Sequence, residues 1–353
     1  MRSGTRRGIL IGLGIVLLGA VFYHASGRLK HGEFHAGEML QALHHTRLEL
    51  LLLGLAAIYA CYALRALRWM RFSRHLGPVS FRNIYSMTLA GFSLLFLFGR
   101  PGEPLRPLLL ARKERQPVAD TFGIYALERL FDAASMAVIA AVGLFLLPVH
   151  TGTAGAAGAL EHAARTAGTL LFTGVFGMVA FLVYLRLHGT AMLERRLQGW
   201  RAAHGWRATL AHIVLGFVRG IQTIRSWGDL ASAVFYSGAH WVLVAMVYYW
   251  VSHSFGGRLG AITFSEATVV MAFTLVGSVV QLPAVGGGSQ IGSILAYTAI
   301  FGVEREPAVV AAVVVWLITF AACSLAGVPL LIQEGLSFGE LRRMVGREEK
   351  EAA

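Results

Sequence analysis

Six apolar runs, each about as long as a membrane is thick, constrain this chain more than any other feature of its sequence. The hydrocarbon core of a bilayer is roughly 30 Å thick, which a helix crosses in about 20 residues. Inside that core every backbone polar group must be bonded within the chain, and helices meet this requirement. The runs predict an all-α polytopic membrane protein with six transmembrane helices. They cover residues 8–26, 48–69, 119–147, 167–187, 230–251 and 307–332.

The overall composition agrees with a membrane location. Hydrophobic residues make up 56% of the 353 residues and charged residues only 14%, whereas a soluble protein carries about 25% charged residues. The net charge of +12 does not indicate nucleic-acid binding, because the arginines flank apolar runs and form no soluble basic face. Cys61 and Cys323 each lie within an apolar run, so neither a disulfide framework nor a zinc site is predicted.

Two further apolar segments are broken by glycine and proline. Residues 81–98 run into a break whose sequence is Gly99-Arg100-Pro101-Gly102-Glu103-Pro104. Residues 262–282 run into a second break whose sequence is Pro283-Ala284-Val285-Gly286-Gly287-Gly288. A short helical stretch follows each break, at 105–115 and at 289–303. Each segment is therefore predicted to form a helix, a turn and a second helix.

The distribution of arginine indicates how these segments are threaded. Cytoplasmic loops carry an excess of Lys and Arg, and such an excess follows the second run, fills 186–225 and recurs in the C-terminal tail. A single crossing by 81–98 would put the basic segment 99–117 outside, against this rule. A hairpin that enters and leaves on one side obeys it, and the same reasoning makes 262–306 a hairpin from the outside. The prediction is six spans, two re-entrant hairpins and cytoplasmic termini in a bacterial or archaeal plasma membrane; eight full crossings are the alternative.

This threading contains a symmetry. The order span, hairpin, span occurs at 48–147 and again at 230–332 with opposite orientation, and inverted repeats with interrupted helices are typical of transporters; chance similarity is the alternative. Residues 1–335 are predicted to form one membrane domain, followed by a cytoplasmic tail at 336–353. The segment 188–229 mixes Leu, Trp and Phe with arginines, which predicts an amphipathic helix on the cytoplasmic surface; a connecting loop is the alternative.

Charged residues around the first break form the strongest candidate site. Irregular backbone at membrane depth survives only where protein buries it or where it lines a wet cavity, and charges within a span face a cavity or one another. The forked donors of arginine suit a phosphate. The alternative is that three acids and three arginines simply pair and hold the hairpin in place. The predicted substrate-binding residues are Arg100, Gly102, Glu103, Arg106, Glu128, Arg129 and Asp132.

Two other groups complete the predicted site. Arg65 and Arg68 lie on one helix face and are candidate contacts for a lipid headgroup, although anchoring at the membrane interface is the more ordinary role. His240 is interpreted as a hydrogen-bonded packing residue, with a proton relay as the alternative. Consecutive glycines at a helix start can expose amides that hold an anion; close helix packing is the alternative. The candidate anion-binding segment after the second break comprises Gly286, Gly287, Gly288, Ser289 and Gln290.

The sequence contains no motif that predicts catalysis, a metal or a cofactor. His31 and His35 have helical ligand spacing in the first external loop, but no third placed ligand accompanies them. No Ser-His-Asp order, zinc-protease helix or nucleotide-binding loop is visible. Neither an enzyme activity nor a metal ion nor a cofactor is therefore predicted.

At these residues the chain resembles the transmembrane domain of lysylphosphatidylglycerol synthases, a family also described as flippase-like. In two-domain members this membrane part is thought to move aminoacylated phospholipid between leaflets, while a soluble domain transfers the amino acid. The chain ends at residue 353, so the resemblance is not expected to extend to a transferase. Many relatives carry an acid where this chain has Ser289 and Gln290. The matching motifs are Arg65-x-x-Arg68-Trp69, Arg100-Pro101-Gly102-Glu103-x-x-Arg106, Glu128-Arg129-x-x-Asp132, Pro283-x-x-Gly286-Gly287-Gly288 and Gly302-Val303.

The charged breaks and this resemblance lead to one expectation and two alternatives. We expect a translocator whose substrate and partner is a membrane lipid, either a phospholipid or a polyprenyl-linked lipid. Its polar or anionic headgroup would lie between the hairpins, held by the arginines, with the acids balancing them and available for coupling to protons. The alternatives are a membrane enzyme that acts on a lipid-linked substrate and an accessory subunit that binds lipid-biosynthesis enzymes.

Overall fold

The described part of the chain is helical apart from one short pair of strands. A computed structural model describes residues 46–99, 102–145, 226–278, 281–282 and 286–334, with Ile224 and isolated positions between 166 and 184. The first half contains helices α1 (Leu48–Ser73), α2 (Phe81–Phe98), α3 (Leu105–Glu114) and α4 (Val118–Phe145). The second half contains α5 (Trp227–Ser254), α6 (Phe264–Gly277), α7 (Gly288–Leu295), α8 (Arg305–Trp316) and α9 (Ala322–Gln333).

Shorter elements join these helices. Turns of 3₁₀ helix lie at Arg74–Leu76 and Leu259–Ala261. Strands β1 (Gln281–Leu282) and β2 (Gly286–Gly287) pair antiparallel, with Gln281 opposite Gly287 and Leu282 opposite Gly286. A π-helical turn at Ala296–Ile300 follows α7, and a second one at Leu317–Ala321 joins α8 to α9 in one continuous helix.

Capping residues explain where two of the second-half helices begin. The Ser226 hydroxyl accepts from the Asp229 backbone N–H, and the Asp229 carboxylate accepts from the Ser226 N–H. Thr263 and Glu266 make the same reciprocal pair at the start of α6. A hydroxyl residue followed three positions later by an acid satisfies two free amide groups, which stabilises the first helical turn.

Helices α1 and α5 pair antiparallel at the centre of the fold. The Arg47 N–H donates to the Ser254 carbonyl (2.9 Å), so the start of α1 meets the end of α5. Apolar residues of α1 such as Ile58 pack in one buried cluster with residues of α5 such as Val244 and Val251. Helices α4 and α6 also pack on α5, and α2 packs on α1.

Helices α2 and α3 form a tight hairpin. Gly99 has φ of +70°, which glycine adopts without steric cost, and a methyl group at Gly102 would clash with the Leu94 carbonyl. At the open end, the Ser80 N–H donates to the Glu114 carboxylate (3.2 Å). Because Ser80 precedes α2 and Glu114 ends α3, the hairpin returns to the level at which it began.

Helices α6 and α7 are built in the same way. Gly292 lies so close to the Phe273 carbonyl that a methyl group would clash. At the open end, Arg258 Nε donates to the Phe301 carbonyl (3.0 Å), which joins the segment before α6 to the segment after α7. Both broken segments predicted from the sequence are therefore hairpins whose two ends meet.

The two halves also make equivalent contacts with each other. The first arm of each hairpin packs on the last helix of the other half, α2 on α9 and α6 on α4. Glycine allows both close approaches, since a methyl group at Gly327 would meet the Leu89 carbonyl and one at Gly143 would meet Thr268. This is the pairing expected of related repeats. Their inversion across a membrane stays a prediction.

Four stretches of helix in the described residues are long and apolar enough to cross a membrane. They are Leu48–Leu76, Phe81–Phe98, Trp227–Ser254 and Arg305–Gln333. The predicted all-α polytopic membrane fold is confirmed. A single crossing by α2 would put Ser80 and Glu114 on opposite sides of the membrane, so their hydrogen bond favours a re-entrant hairpin over the eight-span alternative. The predicted span at 8–26, the external histidines, most of 148–225 and the tail at 336–353 lie outside the described residues.

Candidate functional site

An ion-pair network lies where α1, α3 and α4 meet. Glu128 and Asp132 are four residues apart on α4, so they share one face of that helix. Arg106, in the first turn of α3, donates to both oxygens of Glu128 at 3.0 and 2.8 Å, and both side chains are buried. Two-pronged pairs of this kind are strong and fix the relative orientation of their groups. The second arm of the first hairpin is thereby tied to α4.

Arg65 and Arg68 on α1 reach the same two carboxylates. Arg65 Nη2 lies 2.5 Å from Asp132 Oδ2, and Arg68 Nη2 lies 2.8 Å from Asp132 Oδ1 and 3.3 Å from Glu128. Arg68 also donates to the Ser237 hydroxyl of α5 (2.6 Å). Both arginines are buried. The structure therefore places both arginines inside the network, buried between helices and paired with the two acids.

Arg129 and Glu103 form the more accessible part of the network. Arg129 Nη1 lies 3.1 Å from Glu103, and its Nη2 lies 2.9 Å from Asp132 and 3.1 Å from Glu128. Their side chains are 34% and 20% exposed, and the Arg129 guanidinium lies over the Tyr125 ring. Arg65, Arg68 and Arg106 are far less exposed. Arg129 is therefore the arginine of this network that a ligand reaches most easily.

The charges of the described network do not balance. Arg100 lies outside the described residues, and the sequence did not predict that Arg65 and Arg68 would join the acids. Four arginines against three acids leave one positive charge in a sheltered site. Such a surplus favours an anion, because a buried charge is costly until it is paired. The described ion-pair network consists of Arg65, Arg68, Arg106, Arg129, Glu103, Glu128 and Asp132.

A cavity of about 230 Å³ lies against this network. Part of its lining is charged, from Arg65, Glu103, Arg129 and Asp132, with His240 beside them. The second hairpin supplies hydroxyl groups, and much of the remaining lining is apolar or aromatic. Residues of both hairpins therefore line one cavity. The hydroxyl-bearing lining residues of the second hairpin are Thr274, Ser278, Ser289 and Ser293.

The second glycine break is arranged differently from an open anion-binding turn. Gly287 has φ of +114°, and its N–H donates to the side-chain oxygen of Gln290 (2.6 Å). Ser289 donates to the same oxygen (3.0 Å) and also lines the cavity. Gly286 lies in β2, and the Gly288 carbonyl packs tightly against Gly277. The geometry agrees with close packing, the alternative interpretation of these glycines. Gly102 likewise serves the close approach of the first turn to α2.

His240 belongs to the network as well as to the core. Its Nε2 accepts a hydrogen bond from Arg65 Nε (3.1 Å), and the residue is only 5% exposed. The sequence analysis interpreted it as a hydrogen-bonded packing residue, with a proton relay as the alternative. Ser237, Thr274 and Trp316 were missed, because their neighbours at the site lie far away in the chain. The spacing of Ser289 and Ser293, one helical turn apart, is a signal that could have found the hydroxyl face of α7.

Several buried nitrogens at this site have no hydrogen-bond partner among the described residues. Buried polar atoms in proteins are normally bonded, and an exception requires an explanation. They are Nε of Arg68, Arg106 and Arg129, Nδ1 of His240, and Nε1 of Trp241 and Trp316. Four of the six belong to residues that line the cavity, namely Arg129, His240, Trp241 and Trp316, so a polar group bound there could satisfy them.

Comparison with known protein families confirms the resemblance noted from the motifs. The family model for the lysylphosphatidylglycerol synthase TM region matches residues 9–327. Comparisons with curated proteins and with solved structures gave no match. The matched residues include the charged network, both hairpins and the cavity. The chain is thus a membrane protein related to lipid metabolism, and it belongs to the family of the lysylphosphatidylglycerol synthase transmembrane region.

Proposed function

We propose that this protein moves a lipid with a polar or anionic headgroup between the leaflets of the plasma membrane, with both of its termini in the cytoplasm. Family membership supports a role in lipid metabolism. The observation that carries the transport proposal is that residues of both hairpins line one cavity together with a network that has one surplus positive charge. Interrupted helices that meet around a central site are the usual place where transporters bind substrate.

Arg129 is the residue we assign to the first contact with the headgroup. It is the most exposed arginine of the network, and its partner Glu103 is also partly exposed. A phosphate oxygen can compete with Glu103 for the guanidinium, whereas Glu128 and Asp132 stay buried beneath it. Arginine suits this role because its planar fork binds two phosphate oxygens at once.

The size and the lining of the cavity suggest which part of the lipid enters. Its volume of about 230 Å³ is less than the ~300–1,000 Å³ of ordinary small-molecule sites, so it suits a headgroup and not a whole lipid. Phe92, Leu95, Trp316 and Phe320 line it beside the charged residues. Hydrocarbon chains would remain against such apolar surface and the bilayer, where they need not be hydrated.

Reconstitution into vesicles tests the proposal. Purified protein is placed in phosphatidylcholine vesicles that contain a trace of phosphatidylglycerol with a fluorescent acyl chain. Dithionite, which does not cross the bilayer, then destroys the fluorescence of lipid that reaches the outer leaflet. We expect faster loss of the inner-leaflet signal than in protein-free vesicles. Mass spectra of the recovered lipid should be unchanged, which distinguishes exchange from enzymatic conversion.

Arg129→Gln tests the site assignment. Losing a charged hydrogen bond costs about 1.5–3 kcal/mol, so exchange of the anionic probe should slow by roughly tenfold or more. Arg112→Gln is the matched control, because Arg112 is an exposed arginine on α3 and should leave the rate unchanged. Exchange no faster than in protein-free vesicles would contradict the proposed function. Equal rates for wild type and Arg129→Gln would remove Arg129 from the site.

A further inference from the structure

Arg65 is held between an acid and a histidine. Its Nη2 lies 2.5 Å from Asp132 Oδ2, while its Nε donates to His240 Nε2 at 3.1 Å. An arginine side chain only donates and keeps its charge. The nitrogen of His240 that receives this bond must therefore carry a lone pair and no hydrogen. In this arrangement the imidazole is neutral, with its hydrogen on Nδ1.

A proton on His240 is incompatible with this position of Arg65. A protonated imidazole carries hydrogen on both nitrogens and accepts from neither. Two positive groups about 3 Å apart in a buried site also repel each other strongly. His240 can bind a proton only after the Arg65 guanidinium has moved away. Both residues line the cavity, so an anion bound there offers Arg65 a new partner.

The charged groups around His240 favour a proton on its ring once Arg65 has moved. Burial itself disfavours a charged imidazole, so a proton there depends on nearby charges; among the described residues these include Arg65 and Arg68 of α1 and Glu128 and Asp132 of α4. If Arg65 turns toward an anion, Asp132 loses one of its partners. A proton on His240 then replaces the lost positive charge beside Asp132.

The other described neighbours of α5 place no charged side chain at the cavity beside the ring. Helices α6 and α8 and the 3₁₀ turn Leu259–Ala261 also pack on α5. From α6 and α8, the side chains at the cavity are uncharged, as in Thr274, Leu275 and Trp316. From α1, Cys61 donates to the backbone oxygen of His240 (3.6 Å) and does not contact the ring nitrogens.

We infer that His240 is a proton-binding site that fills when an anionic headgroup draws Arg65 into the cavity, so that one headgroup and one proton bind together. This inference rests on the proposed function and adds the coupling ion to it. Binding equilibria are reciprocal, so a lower pH should strengthen headgroup binding as much as headgroup binding favours the proton. The proton comes from water, and it is released when the headgroup leaves and Arg65 returns.

Proton uptake by the wild-type protein is the first test, and it needs no variant. Protein in detergent micelles and weak buffer is titrated with dihexanoylphosphatidylglycerol while a dissolved dye reports pH, with empty micelles as the blank. We expect the solution to become more alkaline, by up to about one proton for each chain. Binding with no alkaline shift anywhere between about pH 5 and 8, the range in which histidine titrates, would overturn the inference.

His240→Asn and His253→Asn assign the proton to a residue. His253 lies on the same helix, but it bonds the Ile262 carbonyl (2.7 Å) and does not line the cavity. One coupled proton changes binding of the probe by up to about tenfold per pH unit. We expect this dependence in wild type and His253→Asn, and its loss in His240→Asn. An unchanged dependence in a folded His240→Asn protein would overturn the assignment.

Failure of this inference and failure of the proposed function give different results. Vesicles in which the fluorescent phosphatidylglycerol exchanges at the same rate at every pH would support transport and contradict coupling. Vesicles without exchange would contradict transport itself. Should His240→Asn not fold, the uptake measurement on wild type alone still decides whether a proton accompanies the anion.

Discussion

Arg106 and Glu128 form a two-pronged ion pair, with nitrogen–oxygen distances of 3.0 and 2.8 Å, between the first hairpin and α4. Arg106 is 3% and Glu128 only 1% exposed. A buried pair of this kind contributes little net stability, because desolvation offsets the attraction. Removing one partner, however, leaves the other charge unpaired in a medium that screens it poorly. The position of the hairpin thus depends on a carboxylate outside it.

Glu128→Gln should therefore be strongly destabilising. We expect the free energy of unfolding to fall by about 3–5 kcal/mol, the usual cost of breaking a buried pair on one side. Denaturant unfolding in detergent micelles measures it. Glu334→Gln is the matched control, since Glu334 pairs with Lys113 at 2.6 Å on the surface and should cost less than about 1 kcal/mol. Similar decreases in the free energy of unfolding for both variants would show that burial does not make the Arg106–Glu128 pair more sensitive than a surface pair.

Two glycines within helices should respond to alanine in opposite directions. A methyl group at Gly292 would meet the Phe273 carbonyl, whereas no described atom lies within 4 Å of one at Gly238. Gly292→Ala should cost about 1–3 kcal/mol through overpacking. Gly238→Ala should gain about 0.5–1 kcal/mol from helix propensity. The stabilities of the two variants are compared by heating each protein and measuring, by size-exclusion chromatography, the fraction that remains folded at each temperature. Stabilisation by both variants would show that the second hairpin is not closely packed.

Cysteine labelling should show that each hairpin begins and ends on one side of the membrane. Pro78 and Arg115 are exposed and flank the first hairpin; Ala261 and Glu304 are exposed and flank the second. Each is replaced singly by cysteine in a chain whose buried native cysteines are alanine.

An impermeant maleimide is then applied to intact and to opened cells that express these variants. We expect positions 261 and 304 to react from outside, and positions 78 and 115 only in opened cells, because basic flanks stay in the cytoplasm. Labelling of 78 and 115 from different sides would mean that α2 crosses the membrane alone.

Thiol chemistry should also reveal whether the cavity is open to water. Ser278 lines the cavity, whereas Ser324 is fully buried between α9 and α2. Reaction requires an accessible thiolate, so a charged thiosulfonate should modify Ser278→Cys much faster than Ser324→Cys. Dihexanoylphosphatidylglycerol should slow the reaction at position 278. Equal rates at both positions would contradict a specific route to the cavity.

The helices were predictable because membrane segments encode their length and their interruptions directly. The break placed after residue 98 agrees with the end of α2 at Phe98, and the short helix placed at 105–115 agrees with α3 at Leu105–Glu114. Glycine and proline stop a helix by local sterics alone. The ends of these helices are therefore set by the local sequence and do not depend on which helices pack together.

The partners within the site depend on neighbours that are distant in the chain, and these were harder to predict. Arg65 and Arg68 resemble interfacial anchors until α4 and α5 surround them. Gln290 looked like part of an exposed turn, but its side chain caps the Gly287 amide. His240 acquires a role only through Arg65, which lies on another helix. Residue identity supplied the candidate groups, and tertiary packing decided which of them meet.

The π-helical turn at Leu317–Ala321 lets one continuous helix present different faces above and below it. A turn of this kind contains an extra residue, so the segment beyond it is rotated by about 100° relative to an uninterrupted α-helix. Before the turn, α8 packs on α5 and α7 of its own half; after it, α9 packs on α2 of the other half. Deleting one residue from 317–321 would restore regular winding and turn the Gly327 surface away from α2, which would break the close contact between α9 and the first hairpin while α1 and α5 still join the two halves.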